Sequence, residues 1–264
     1  MTTTIALAGK GGVGKTTVAA MVIKYLAQTQ PGAILAIDAD PSSNLNMVLG
    51  LDLEWTVGDI REDMLEKVKE SLTAGGAAMG ALDGGVTKRD YLDYEIRSSV
   101  AEGSRFDLIA MGRSEGAGCY CAVNHNLRDV IDSISKNYRY VVIDNEAGME
   151  HLSRRTTRDA QLLLVVSDPT QRGIVAAERI ASFRHDLDIR IENTYLILNR
   201  LEGDTIPAPL QERIEALDIP LLGIVPSDDD LMAFEFSGRP LVELGDDSPV
   251  YRAVEAMMAR ALQA

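Results

Sequence analysis

The sequence has 264 residues, with 26 Lys+Arg against 40 Asp+Glu and a formal net charge of −14. Its 46% hydrophobic and 25% charged content is ordinary for a globular chain and excludes disordered or collagen-like architectures. The negative charge opposes nucleic acid or an anionic membrane as a bulk partner, and two cysteines, Cys119 and Cys121, are too few for a disulfide scaffold.

The chain opens without a basic, apolar leader, and no apolar run approaches the roughly 18 residues that a membrane span needs. The expectation is a cytoplasmic protein with reduced thiols. Short apolar runs then recur at 4–8, 34–37, 107–111, 140–143, 161–166, 194–198 and 221–225. Continuous runs rich in Val, Ile and Leu fit strands buried on both faces of a parallel sheet. Helical spacing separates them. In 16–28, Val18, Met21, Val22, Tyr25 and Leu26 share one face; in 127–137, Val130, Ile131 and Ile134 do so. Segments 173–187 and 209–217 read the same way, and 250–262 reads as a closing helix. Residues 73–85 are rich in Gly and Ala and read as a flexible excursion; 91–96 reads as an additional strand. The alternation predicts an α/β, three-layer P-loop NTPase fold with a mostly parallel sheet of seven or eight strands, residues 1–264 forming one domain.

The loop after the first run, Gly9-Lys10-Gly11-Gly12-Val13-Gly14-Lys15-Thr16, matches G-x-x-x-x-G-K-[ST] between a strand and a helix. Its glycines let the backbone N–H groups of Gly11, Gly12, Val13 and Gly14 wrap around phosphates. Lys15 is placed to neutralise the β- and γ-phosphates, Thr16 to ligate Mg²⁺ and Thr17 to add a contact to the α-phosphate. Gly9, Gly11 and Gly14 also fit a dinucleotide fingerprint, with Asp38 as the ribose acid. The Lys15-Thr16 pair favours a nucleoside triphosphate, because a dinucleotide loop has no use for either group.

Asp38 and Asp40 leave the second strand at i and i+2, so both can face the sheet's carboxyl edge, where ligands of open α/β sheets bind. Either can position or deprotonate a water, or serve as an ordinary loop acid. Asn44 is a weaker candidate for a metal-associated polar group. Four apolar residues end in Asp144, a pattern that holds Mg²⁺, and 144–150 reads as a second switch segment. The cysteines stand as Cys119-Tyr120-Cys121 before a helix expected to start near Asn124 or Asn126. A helix N-terminus favours thiolate. In an extended stretch the two sulfurs can share one ion, and a two-fold axis would complete a four-sulfur site. His125 could donate as well. The alternative is a pair of buried apolar cysteines.

The GKGGVGKTT loop resembles the deviant phosphate loop of the ATPase family that contains MinD, ParA, the arsenite-pump ATPase and the nitrogenase iron protein. The resemblance implies a homodimer sandwiching two nucleotides, with Lys10 reaching the nucleotide of the opposite subunit. It implies that Asp40 orients the attacking water. It also implies that Asn199, followed by Arg200, reads adenine while the segment around Pro226 covers it, so that the nucleotide is ATP or ADP. No N-K-x-D element is present. The D-x-D-P element, the Cys-x-Cys pair and the run Gly148-Met149-Glu150-His151-Leu152 occur in that order. Together they are similar to the CooC-type nickel-insertion ATPases of carbon monoxide dehydrogenase maturation. That likeness implies Ni²⁺, or Zn²⁺ in its absence, at Cys119 and Cys121, and carbon monoxide dehydrogenase as client. Asp144-Asn145-Glu146 departs from it by being more acidic. Two other readings stay open: a positioning ATPase of the MinD/ParA type that binds membrane or DNA, and an iron–sulfur reductase like the nitrogenase iron protein. The charge, and a final helix with only Arg252 and Arg260 as cations, oppose the first; two cysteines per chain suit a single ion better than a cluster.

Overall fold

The computed structural model describes residues 2–73, 86–113, 121–146, 159–183, 190–203 and 205–263. The strands are β1 (Thr3–Gly9), β2 (Ile34–Ala39), β3 (Ala101–Glu102), β4 (Phe106–Ala110), β5 (Tyr140–Asn145), β6 (Asp159–Ser167), β7 (Arg190–Leu201) and β8 (Leu221–Pro226). They form an eight-stranded sheet in the order β3-β4-β2-β5-β1-β6-β7-β8. All pairings are parallel except the short antiparallel β3–β4 edge. Each expected apolar run lies within or overlaps one of these strands. Burial on both faces explains why the runs were continuous rather than alternating: all six residues of β2 and all six of β5 are buried.

Helices cover both faces. On one lie α1 (Lys15–Thr29), α2 (Leu45–Leu49) and α9 (Pro249–Ala261), packed on Ile5, Leu7, Val142 and Leu164. On the other lie α3 (Val57–Thr73), α4 (Lys88–Ser98), α5 (Cys121–Ser135), α6 (Gln171–Phe183) and α7 (Ala208–Glu215), packed on Ala6, Ile37, Ile143 and Val165. A further helix, α8 (Asp229–Ser237), has no buried residue. The result is the expected three-layer α/β architecture.

Two expectations are corrected. Residues 91–96 belong to α4 and not to a strand. Leu92 and Ile96 are both fully buried one helical turn apart, and the Thr87 hydroxyl caps the helix by accepting from the Asp90 N–H at 3.1 Å. A short run with interspersed tyrosines does not reveal its period without those partners. Secondly, α5 starts at Cys121, before Asn124 or Asn126. Apolar spacing reports where a helix packs rather than where its hydrogen bonding begins. Cys121 is therefore in helical rather than extended backbone. The Gly/Ala-rich excursion, from residue 74 to 85, and the end of the expected helix at 184–187 lie outside the described residues.

One inward-facing residue of α3 breaks the apolar pattern. Arg61 is only 5% exposed, and its Nε and Nη1 have no hydrogen-bond partner. A buried guanidinium with two of its nitrogens unsatisfied is destabilising. Replacing it with an apolar side chain of similar length, Arg61→Met, is expected to stabilise the protein by about 2 kcal/mol in urea unfolding. A loss of stability would show that the guanidinium is solvated or paired in solution.

Candidate functional site

The carboxyl edge of the sheet carries the site, because there the loop between β1 and α1 meets the ends of β2, β5, β7 and β8. Local backbone needs dictate the loop's glycines. A Cβ at Gly9 would lie 2.3 Å from the Val166 carbonyl oxygen on the neighbouring strand β6. Gly14 has φ +88° as the N-cap of α1, and a Cβ there would lie 2.3 Å from Asn199 Nδ2. Both positions therefore admit only glycine. Lys15 is 7% exposed and its Nζ donates to the Lys10 carbonyl at 3.4 Å. Lys10 itself is exposed.

Register brings the acids together. Asp144 of β5 is the direct partner of Leu7 on β1 and of Asp38 on β2. The Thr16 hydroxyl donates to Asp144 Oδ2 at 2.6 Å, while Asp144 Oδ1 is buried without a partner. Burial pushes the Asp144 carboxyl up to about 7; the Thr16 bond counteracts this and the nearby Asp38 adds to it. Burial likewise raises Asp38 to about 6, tempered by the backbone N–H groups of Leu45, Asp40 and Asn44. The Leu45 N–H reaches Asp38 Oδ2 at 2.9 Å and the Asp40 N–H reaches Oδ1 at 3.1 Å, so Asp38 organises the loop that follows β2. Asp40 is half-buried and its Oδ1 accepts from the Ser42 N–H at 2.8 Å. Asn44 is the N-cap of α2 but makes no side-chain capping bond.

A hard divalent cation fits these donors. Mg²⁺ takes oxygen ligands and few protein groups. The Thr16 hydroxyl and the unpartnered Asp144 Oδ1 supply oxygen, with the Asp38 carboxylate on the neighbouring strand. A buried carboxylate oxygen without a hydrogen-bond partner is costly and is satisfied by a cation.

The remaining expected residues fall as follows. Asn199 is buried at the end of β7, and its Nδ2 donates to the Val13 carbonyl at 2.8 Å. Arg200 is exposed, with Nη1 donating to the Gly12 carbonyl at 3.0 Å. Both side chains are thus turned onto the phosphate loop. Pro226 ends β8 beside them. Thr17 donates to Glu235 Oε1 of α8 at 3.2 Å, a partner that no sequence signal suggested. Asn145 is a second unexpected residue, tying β5 to β1 through Nδ2 and the Leu7 carbonyl at 2.7 Å. Cys119 and residues 147–152 lie outside the described residues, as do the side chains of Cys121 and His125. Among the described residues, no group of three or more His, Cys, Asp and Glu side chains could by itself hold a metal ion.

A glycine-rich strand-to-helix loop facing a strand-end carboxylate, with lysine and threonine opening the helix, defines a P-loop nucleotide-binding protein. Residues 4–241 match the CobQ/CobB/MinD/ParA nucleotide binding domain, and the chain belongs to that family. It is 39% identical over 251 residues to an uncharacterised ATP-binding protein of Methanocaldococcus jannaschii, covering 95% of each chain. It is 28% identical over 263 residues to the carbon monoxide dehydrogenase accessory protein CooC of Rhodospirillum rubrum, covering 98% of this chain and 96% of that one. Its fold matches the septum site-determining protein MinD complexed with Mg-ADP from Pyrococcus horikoshii OT3, with a TM-score of 0.67 and 21% identity over 98% of this chain and 96% of that one.

Asp144→Asn removes the buried carboxylate beside Asp38. In EDTA and without nucleotide it is expected to raise the melting temperature by about 3 °C, roughly 1 kcal/mol for a chain of this size. The same variant is expected to lose Mg²⁺-dependent nucleotide binding in titration. A lower melting temperature would show that the empty site is not destabilised by this acid.

Proposed function

We propose that the protein is a Mg²⁺-dependent ATPase that works as a homodimeric switch. The observation that carries this reading is the Thr16–Asp144 pair, with one carboxylate oxygen unsatisfied, set directly beneath the loop of glycines. Lys15 sits against Lys10 and is within the loop's compass for the β- and γ-phosphates. The cation would be held by Thr16, Asp144 and the adjoining Asp38, and would supply charge neutralisation to the phosphates. Asp40 orients the water whose oxygen bonds to the γ-phosphorus as the bond to ADP breaks, leaving ADP and inorganic phosphate. The exposure of Lys10 suits a residue that reaches the nucleotide of a second copy. Asn199, Arg200 and Pro226 adjoin the place expected for the adenine.

A finer reading makes the protein a metallochaperone. Ni²⁺, or Zn²⁺, is cargo bound by Cys119 and Cys121 across the dimer, and hydrolysis couples to its delivery to carbon monoxide dehydrogenase. Its support is the Cys-x-Cys pair and the full-length similarity to CooC. Helix α5 opens at Cys121, so the pair stands where the chain enters a helix. Against a positioning role on membrane or DNA stand the charge of −14 and a final helix whose only cations are Arg252 and Arg260.

Phosphate release from MgATP tests the ATPase reading. Lys15→Ala is expected to abolish both binding and turnover. Asp40→Ala is expected to bind MgATP normally and hydrolyse it at least about 100-fold more slowly. Full activity in both variants would refute the reading. For the cargo, wild-type dimer is expected to bind Ni²⁺ stoichiometrically by equilibrium dialysis, and Cys119→Ser/Cys121→Ser to lose that binding while keeping basal hydrolysis. Undiminished nickel binding in the double variant would remove the cysteines from the site.

A further inference from the structure

A phosphate loop that turns its N–H groups inward turns carbonyls outward, and those carbonyls need donors where the loop packs on protein. Two consecutive carbonyls are met from one place, the end of β7. Asn199 Nδ2 reaches Val13 O at 2.8 Å and Arg200 Nη1 reaches Gly12 O at 3.0 Å. The backbone there is specialised. Pairing of β7 with β8 shifts register between Asn199 and Leu201, which makes Arg200 the extra residue of a bulge. Arg200 also has φ +60°, a left-handed conformation that non-glycine residues seldom adopt. Bulges re-aim side chains, and strained residues persist where the surroundings over-determine them. The surroundings here include Asn199 Oδ1, which accepts from the Arg200 N–H at 3.0 Å. The same Asn199 side chain occupies the space that a Cβ on Gly14 would need. Bulge, asparagine and loop are one interlocked unit.

We propose that Arg200 is a positioning residue for the phosphate loop: through the Gly12 carbonyl it holds the loop in its anion-binding shape before nucleotide arrives. This rests on the nucleotide-binding reading above and moves the work of Arg200 from adenine to phosphate. A loop ordered in advance has less conformational entropy to lose on binding. That gain is shared by every ligand that fills the loop, with or without a base. Because Arg200 is on the surface, its removal leaves the core intact.

The test compares MgATP with magnesium tripolyphosphate, which has no base, by titration calorimetry. Wild type, Arg200→Ala and Arg200→Gly are used; glycine accepts the left-handed backbone, so it removes the guanidinium without the strain. Both variants are expected to bind both ligands about tenfold more weakly, by the same factor for each, in line with loss of one charged hydrogen bond. Without ligand, Arg200→Gly, relieved of the left-handed strain, is expected to melt no lower than wild type. A loss confined to MgATP would assign Arg200 to the base and overturn the proposal. Unchanged affinity for both ligands would overturn it too, leaving a surface contact. A wild-type protein that binds neither ligand would instead overturn the nucleotide reading, and this proposal with it.

Discussion

Parallel register between β2 and β5 sets Asp38 and Asp144 side by side at the sheet's carboxyl edge, and the rest of the site is arranged around that juxtaposition. Burial raises the proton affinity of both, and neighbouring acids add to it, Asp38 acting on Asp144 and Asp40 on Asp38. The protein offsets the strain unequally. Asp38 receives two backbone N–H groups and becomes the anchor of the loop after β2. Asp144 receives one hydroxyl and keeps one oxygen without a partner. That remaining oxygen is the one available to a cation.

The loop is prepared in the opposite sense. Its glycines are forced by close approach, at Gly9 to the backbone of β6 and at Gly14 to Asn199. The Val13 and Gly12 carbonyls are occupied by Asn199 and Arg200. The loop and the carboxylate pair thus meet at one edge of the sheet. Glu235 adds a link of another kind, joining α8 to Thr17 at the start of α1.

Strands were legible because each is buried on both faces and so appears as an unbroken apolar run. Helices with a strong inward stripe, such as α1 and α9, were legible for the corresponding reason. Shorter elements were not. Helices α2 and α8 are five and nine residues long, and α8 buries nothing, so neither leaves a stripe. Helix α4 was mistaken for a strand because Leu92 and Ile96 become a helical pair only once the core they share is in place. Arg61 in the inward face of α3 hid that helix from an apolar pattern.

The phosphate loop, its lysine and threonine, and the acids at the strand ends were determined by sequence alone. These chemistries depend on residues close together in the chain, so spacing carries them. Tertiary structure alone decided which distant groups meet: Thr16 with Asp144, Asp38 with Asp144, and Asn199 and Arg200 with Val13 and Gly12. Those meetings depend on strand order and register, and β1 pairs with β5 and β6 rather than with its sequence neighbour β2. A one-residue slip in any pairing would turn these side chains to the other face. The bulge at Arg200 shows the limit most plainly. Nothing in Leu198-Asn199-Arg200-Leu201 signals an extra residue, because the bulge exists only relative to the strand beside it.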